Sequence, residues 1–225
     1  LRIFDFWQPV PNNKKPQEAH HYIFGAEYWI SEGNIFSIEY YYKPYNVIYD
    51  LNPKATNVDL ENTFAISGSG LARGIEFLYR LDLNKTSGWI SYSYSNTTRE
   101  IDLNSDGKLD VDDELYPAKY NKPHSFSAVL NYQYNDKYSI GLSCITGDNQ
   151  TYTAVIGKVH ATGIGQYGSL ANPYSSYQNI PGIRNGEHYD TYFRLDLSLS
   201  RKTNLFGMDG DLKFQFINLS NHFNQ

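Results

Sequence analysis

Apolar and polar residues alternate with a period of two in eight separate segments of this chain. The segment from Phe193 to Ser200, FRLDLSLS, places phenylalanine or leucine at every odd position and arginine, aspartate or serine at every even one. Because successive side chains of a β-strand point to opposite faces, this period predicts strands and excludes helices there. The predicted strands lie at residues 22–30, 35–43, 74–81, 90–95, 126–134, 138–144, 193–200 and 212–216.

The composition agrees with an all-β protein. The chain has 225 residues, of which 21 are tyrosine and 12 phenylalanine, and aromatic residues favour strands. The single cysteine, Cys144, cannot form an internal disulfide. A net charge of −5 without a basic patch argues against nucleic acid as a partner. No apolar run is long enough for a transmembrane helix.

The links between these strands alternate between short and long. Short links occupy residues 31–34, 84–87, 135–136 and 203–210, and long ones occupy 44–70, 97–121 and 147–190. Outer-membrane barrels have this asymmetry, with tight turns on the periplasmic side and long loops outside. The sequence therefore predicts an antiparallel meander of eight strands that crosses an outer membrane.

The two faces of the predicted strands differ in polarity. One face is aliphatic and aromatic, whereas the other carries the charged residues Glu27, Glu39, Lys43, Glu76, Arg80, Arg194, Asp196 and Lys213. A wide, wet lumen tolerates such charges, so we expect Glu76 and Arg194 to face the lumen, and Phe77 and Leu195 the lipid. A soluble antiparallel sandwich with one solvated face would show the same alternation and stays open as an alternative.

The acidic segment DLNSDGKLDVDDE, residues 102–114, has the form of a calcium-binding loop. Oxygen ligands stand at its first, third, fifth, ninth and twelfth positions, and Gly107 stands at the sixth. An EF-hand would need flanking helices, but both neighbours are predicted strands, so we place this loop at the tip of a hairpin. The candidate Ca²⁺ ligands are Asp102, Asn104, Asp106, Lys108 (through its carbonyl), Asp110 and Asp113. The alternative is a solvated acidic loop with ordinary turns.

Two further motifs do not carry a site. The GxGxxG at residues 163–168 lies inside the longest link without a helix after it, so a dinucleotide site is rejected. His20 and His21 are adjacent on a strand and face opposite sides, which disfavours a shared metal ion. No GxSxG elbow or other catalytic group is found, and we expect no enzyme activity.

The longest link, residues 147–190, is rich in aromatic side chains that could stack on a sugar or a chelate. The candidate ligand-binding residues there are Tyr152, Tyr167, Tyr174, Tyr177 and His188, with Tyr189 beside them. The alternative is that these side chains pack the loops against one another.

Several pieces of the sequence form a specific pattern through their order and spacing, although each is weak alone. They are AHHYIFGAEYWI, IEYYYKPY, GSGLARGIEFLYR, GWISYSYSNTTRE, YPAKYNKPHSFSAVLNYQYNDKYSIGL, ITGDNQTYT, YFRLDLSLS and FINLSNHFN. Through these pieces the sequence resembles, over nearly its whole length, the C-terminal part of the barrel of TonB-dependent outer-membrane receptors.

This resemblance implies that residues 1–225 form part of a 22-stranded transmembrane barrel in a bacterial outer membrane. It also implies active uptake of a small molecule or oligosaccharide (a metal chelate, a vitamin or a glycan) powered through the TonB protein. The sequence lacks the plug domain, the TonB-contacting segment and the final strand of that family, so we interpret it as a fragment. A passive porin is the alternative channel, and a soluble calcium-binding sandwich is the alternative outside the membrane.

Overall fold

The computed structural model describes residues 14–50, 66–102, 114–161 and 176–224, and the chain is all-β in these ranges. Among the residues described, no helix is long and apolar enough to span a membrane. The strands are β1 (Glu18–Ala19), β2 (Tyr22–Ser31), β3 (Asn34–Asp50), β4 (Ile66–Leu83), β5 (Thr86–Ile101), β6 (Glu114–Pro117), β7 (His124–Gln133), β8 (Tyr138–Gly147), β9 (Thr151–Tyr152), β10 (Val155–Ala161), β11 (Ser176–Pro181), β12 (Glu187–His188), β13 (Tyr192–Leu205) and β14 (Met208–Phe216).

Eight long strands form one antiparallel meander, which confirms the predicted all-β class and the meander, while the barrel of 22 strands stays a prediction. In order across the sheet they are β2, β3, β4, β5, β7, β8, β13 and β14, each paired with the next. β1 lies beside β3 beyond the start of β2, and β6 lies beside β5 beyond the start of β7. Two small ribbons, β9 with β12 and β10 with β11, stand apart from this sheet.

Several strands are longer than the alternation predicted, and β3, β4 and β5 exceed the prediction most. β3, β4 and β5 have 17, 18 and 16 residues, whereas β2, β7 and β8 have 10 each. Pairing continues past a bulge between Tyr45 and Ile48, so that Asp50 still lies opposite Ile66. The predicted links 44–70 and 97–121 are therefore partly strand. We call the end of the sheet where the long links leave the loop end, and the other end the turn end.

Tight turns close the hairpins at the turn end. Gly33 has φ of 83°, and an added Cβ there would collide with the backbone carbonyl oxygen of Asp82 on the neighbouring hairpin. Gly207 has φ of 81° in the last turn, beside Phe206 at 54°. Left-handed backbone of this kind suits glycine, which explains its place in both turns.

Cross-strand register brings the apolar sets of all eight strands onto one side of the sheet. As predicted, Phe77 and Leu195 lie on this apolar face, and Glu76 and Arg194 lie on the opposite, polar face. One row across the apolar face consists of Ala26, Ile38, Phe77, Tyr92, Phe126, Thr146 and Phe193. A shift of one residue in any pairing would break this row, so the pattern fixes the register.

The sheet has little core of its own. Only five apolar side chains are buried among the described residues, and they lie at the loop end: Ile48, Ala72, Ile101, Tyr116 and Ala118. On the apolar face Phe24 is 69% exposed and Phe214 is 59% exposed. In the described part of the chain, no second layer covers either face of the large sheet.

Successive hairpin turns are displaced along the strand direction. The row through Asn34, next to the first turn, crosses β5 at Gly88 and reaches Leu197 on β13. The last turn follows Leu205, which lies roughly eight residues beyond Leu197 along β13, and it is six strand spacings across the sheet from the first turn. At about 3.4 Å per residue and about 4.8 Å per strand, the offset along the strands nearly equals the distance across the sheet. If all turns lie in one plane, the strands must therefore be tilted by roughly 45° from the normal of that plane. Transmembrane barrels have strand tilts of this size.

Candidate functional site at the loop end

Asp50 is the centre of a charged cluster on the polar face at the loop end. It ends β3, and its carboxylate accepts hydrogen bonds from Arg99 of β5 and from Tyr116 of β6. The Oδ2 atom lies 3.2 Å from Arg99 Nη1 and 2.6 Å from the Tyr116 hydroxyl. Three strands that are far apart in sequence therefore meet at one carboxylate.

Arg184, from the link between β11 and β12, completes this Asp50 cluster. Its Nη2 lies 3.0 Å from Asp50 Oδ1, its Nη1 lies 3.9 Å from Glu114 Oε2, and its guanidinium stacks 4.2 Å above the Tyr116 ring. Asn185, with φ of 49°, forms the turn that presents Arg184 and donates from Nδ2 to the Pro117 carbonyl at 2.9 Å. The link between β11 and β12 is thus fixed to the loop end of the sheet.

The electrostatics of the cluster are balanced. Two arginines face two carboxylates, and Asp50 and Arg184 are each about four-fifths buried. Burial, together with the hydrogen bond to the Asp50 carboxylate, raises the pKa of the Tyr116 phenol well above its usual value. The phenol therefore stays protonated and keeps donating its hydrogen bond to Asp50. This suits a cluster that stabilises the loop end and does not suit a proton-transfer site.

Backbone contacts join the longest link to the segment before β7. Thr151 is fully buried, and its hydroxyl donates to the Ala118 carbonyl at 2.9 Å while its amide donates to the Lys119 carbonyl at 3.2 Å. Asp148 accepts from the His124 amide at 2.8 Å. The described parts of the links 97–121 and 147–190 are therefore joined by hydrogen bonds.

The structure brings the candidate Tyr152 into contact with Tyr189, places His188 beside them on the same ribbon, and leaves the other candidate residues undecided. The rings of Tyr152 and Tyr189 lie 4.5 Å apart between centroids on the ribbon of β9 and β12, and His188 Nδ1 lies 3.4 Å from the Asn149 carbonyl. Tyr177 contributes backbone to β11, with its side chain outside the described part, and Tyr167 and Tyr174 lie wholly outside it. Tyr152 and Tyr189 thus pack loop against loop, while ligand binding stays a prediction.

Of the predicted calcium ligands only Asp102 falls within the described residues. It is 4% exposed, and its amide donates to the Ser67 carbonyl at 3.0 Å. Asn104, Asp106, Lys108, Asp110 and Asp113 lie outside the described ranges. Within those ranges no group of three or more His, Cys, Asp or Glu residues could hold a metal ion. Calcium binding by the acidic loop stays a prediction.

Apart from the Asp50 cluster, the polar face carries an ion pair between Arg194 and Asp196 of β13. Arg194 Nη2 lies 2.6 Å from Asp196 Oδ2, and Asp196 Oδ1 also accepts from the Asn218 amide at 2.8 Å. Side chains two positions apart on a strand lie on the same face, so the alternation itself could have predicted this pair. The Asp50 cluster had no such local signal.

Comparisons with models of protein families, with curated proteins and with solved structures find no match to this chain. What the chain does must therefore be inferred from the two faces of its sheet and from the residues at its loop end.

Proposed function

We propose that this chain is part of the transmembrane barrel of a TonB-dependent transporter in a bacterial outer membrane. The observation that carries the proposal is the continuous apolar face of a sheet that is one layer thick. Exposed apolar patches of this extent are rare on soluble monomers, because each buried square ångström of apolar surface is stabilising by about 25 cal/mol. Lipid hydrocarbon would cover this face and leave the polar face to water.

Strand length and edge geometry support the same environment. The ten residues of β2, β7 and β8 match the length that tilted barrel strands need to cross a bilayer. The outer strands β2 and β14 are exposed along their whole length. Open edges are not stable in hydrocarbon, so further strands would pair with them, up to the 22 that the resemblance implies.

Aromatic residues flank aliphatic ones along the apolar face. On β7, Phe126 and Tyr132 stand on either side of Ala128 and Leu130. Barrels have such aromatic girdles at both interfaces of the membrane. This order supports a membrane whose hydrocarbon centre lies near Leu130.

The polar face supports a water-lined interior, and the loop end supports ligand capture. Serines and the facing pair Glu39 and Glu76 line the polar face, and the described parts of the links 97–121 and 147–190 meet at the loop end of the sheet. Uptake of a metal chelate, a vitamin or a glycan, driven through TonB, follows from the resemblance. The Asp50 cluster would hold the loop end of the sheet rigid and so position the loops that bind the ligand.

The single cysteine gives a direct test of the lipid-facing side. Cys144 lies on the apolar face between Ala128 and Leu195 and is partly exposed. A nitroxide attached to Cys144 of the protein in lipid vesicles should collide readily with dissolved oxygen and poorly with a polar nickel chelate. Electron paramagnetic resonance measures both collision rates.

The matched control moves the label by one residue. In the Cys144→Ser, Ser143→Cys variant the label lies on the polar face, and the chelate should reach it better than oxygen does. In a soluble sandwich, a second layer would shield Cys144 from both reagents. That result would exclude the membrane assignment.

Conductance distinguishes the transporter from a passive porin. The full protein inserted in a planar bilayer should give no steady open-channel current, because a transporter of this type keeps its lumen closed. A stable current that scales with salt concentration would favour the porin. The same current is measured for the Asp50→Ala variant. It should stay absent if the Asp50 cluster holds only the loops in place.

A further inference from the structure

Two arginines interrupt the apolar face, one at each end. Arg73 stands at the loop end, opposite Tyr42 and Asn96, and Arg201 stands at the turn end, opposite Tyr138 and Leu212. Between the rows of these arginines, the described side chains of the apolar face include no Asp, Glu, Lys or Arg. Each cation therefore marks a border of the uncharged band.

The surroundings of Arg201 leave its charge available. Its guanidinium carbon lies 5.6 Å from the centroid of the Tyr138 ring, and within the described ranges it forms no ion pair. The nearby acids are on the polar face: Asp211 lies opposite Lys202, and Asp209 accepts a hydrogen bond from Asn204 at 2.9 Å.

Lys202, the next residue on β13, belongs to the polar face. Its amide donates to the Lys137 carbonyl at 2.8 Å, which holds the turn before β8 against β13. An open hollow of about 600 Å³ beside this turn is lined by the cations Lys137, Arg201 and Lys202 and by the carboxylates Asp209 and Asp211. The charges around the hollow are therefore nearly balanced, and Arg201 is the cation that stands on the apolar face.

We propose that Arg201, supported by the Tyr138 ring, binds the phosphate of an anionic lipid headgroup at the turn end of the sheet. This inference rests on the membrane location proposed above and adds a partner to it. A guanidinium offers two parallel N–H donors to a phosphate, and tyrosine is enriched at the level of the headgroups. The long side chain can reach from the edge of the hydrocarbon to the interface.

The neighbours of Arg201 select a lipid over free phosphate. Ile140 and Leu199 lie beside it on the apolar face, and Leu212 lies directly opposite; they are 42%, 39% and 47% exposed. Acyl chains attached to the bound phosphate would cover these side chains, whereas a free phosphate ion would leave them in water. Apolar burial and charge pairing therefore act on the same ligand.

Native mass spectrometry of the full protein from phosphatidylcholine–phosphatidylglycerol vesicles tests this site. Arg201→Gln should weaken retention of the tightest phosphatidylglycerol roughly five-fold, the effect expected of one arginine at an anionic surface. Lys202→Gln removes the same charge one residue away on the polar face, and it should leave retention unchanged. Arg201→Lys keeps the charge but loses the two parallel N–H donors of the guanidinium. Its lipid retention should lie between those of wild type and Arg201→Gln.

Equal losses for Arg201→Gln and Lys202→Gln would overturn the site, since only net charge would then matter. Displacement of the lipid by excess inorganic phosphate would overturn the choice of a lipid ligand. Failure of every variant and of wild type to enter vesicles would contradict the proposed function instead. Normal insertion of all forms with unchanged lipid retention would contradict this inference alone.

Discussion

Replacing Leu142 with arginine is expected to prevent most of the protein from assembling in a bilayer. Leu142 lies on the apolar face between Leu130 and Leu197, in the middle of the uncharged band. An arginine facing the bilayer midplane destabilises a transmembrane barrel by about 2–4 kcal/mol. The folded fraction after refolding into vesicles, read from gel mobility without heating, should fall steeply, and urea unfolding should shift by a matching amount.

Ser143→Arg is the matched control for this prediction. Ser143 is the next residue on β8 but lies on the polar face, directly opposite Asp196. The new charge would stay in water beside a carboxylate, so we expect a change below about 1 kcal/mol. Equal damage from Leu142→Arg and Ser143→Arg would mean that the apolar face does not meet lipid.

Asp50→Ala is expected to release the link that carries Arg184. The variant leaves Arg99 and Arg184 partly buried without their shared carboxylate and removes the acceptor of the Tyr116 hydroxyl. Removing one partner of a buried ion pair costs about 3–5 kcal/mol, and partial exposure here brings the expected value nearer 3. The population in which the link that carries Arg184 is detached from the sheet would then rise about a hundred-fold. The rate of trypsin cleavage after Arg184 should rise with it.

Glu18→Ala provides the surface control. Glu18 pairs with His20 at 3.0 Å, but both side chains are more than half exposed, so the cleavage rate after Arg184 should not change. In the double variant Asp50→Ala, Glu18→Ala, the rate should equal that of Asp50→Ala. An unaltered rate in Asp50→Ala would show that the backbone contacts at Thr151 and Asn185 hold the link without the cluster.

The sequence could predict the eight strands because a period of two is a local signal. It could not predict how far β3 and β4 run past Tyr45 and Gly70, where the alternation stops. Strand pairing needs only backbone donors and acceptors. At Gly68 the backbones of β4 and β5 approach so closely that an added Cβ would collide with the carbonyl oxygen of Glu100. The ribbons of β9 to β12 were missed for a related reason. β9 and β12 have only two residues each, and the sequences of β10, VIGKVHA, and β11, SYQNIP, do not separate apolar from polar residues cleanly.

The Asp50 cluster was out of reach of sequence reasoning. Asp50 and Arg99 are 49 residues apart, and Arg184 arrives on a turn whose course depends on Asn185. No spacing rule connects such residues before the sheet is assembled. The Arg194 and Asp196 pair, by contrast, follows from two positions on one strand.

The displacement of the hairpin turns has a consequence for permeability. A closed ring of 22 strands about 4.8 Å apart, tilted as these are, would have a radius of about 24 Å measured to its backbone. Even with side chains lining the wall, such an opening would pass solutes far larger than a vitamin, and periplasmic contents would leak out. A ring of 22 strands with this tilt would therefore protect the cell only if folded polypeptide filled it, and the selectivity of transport would then depend on how that polypeptide moves.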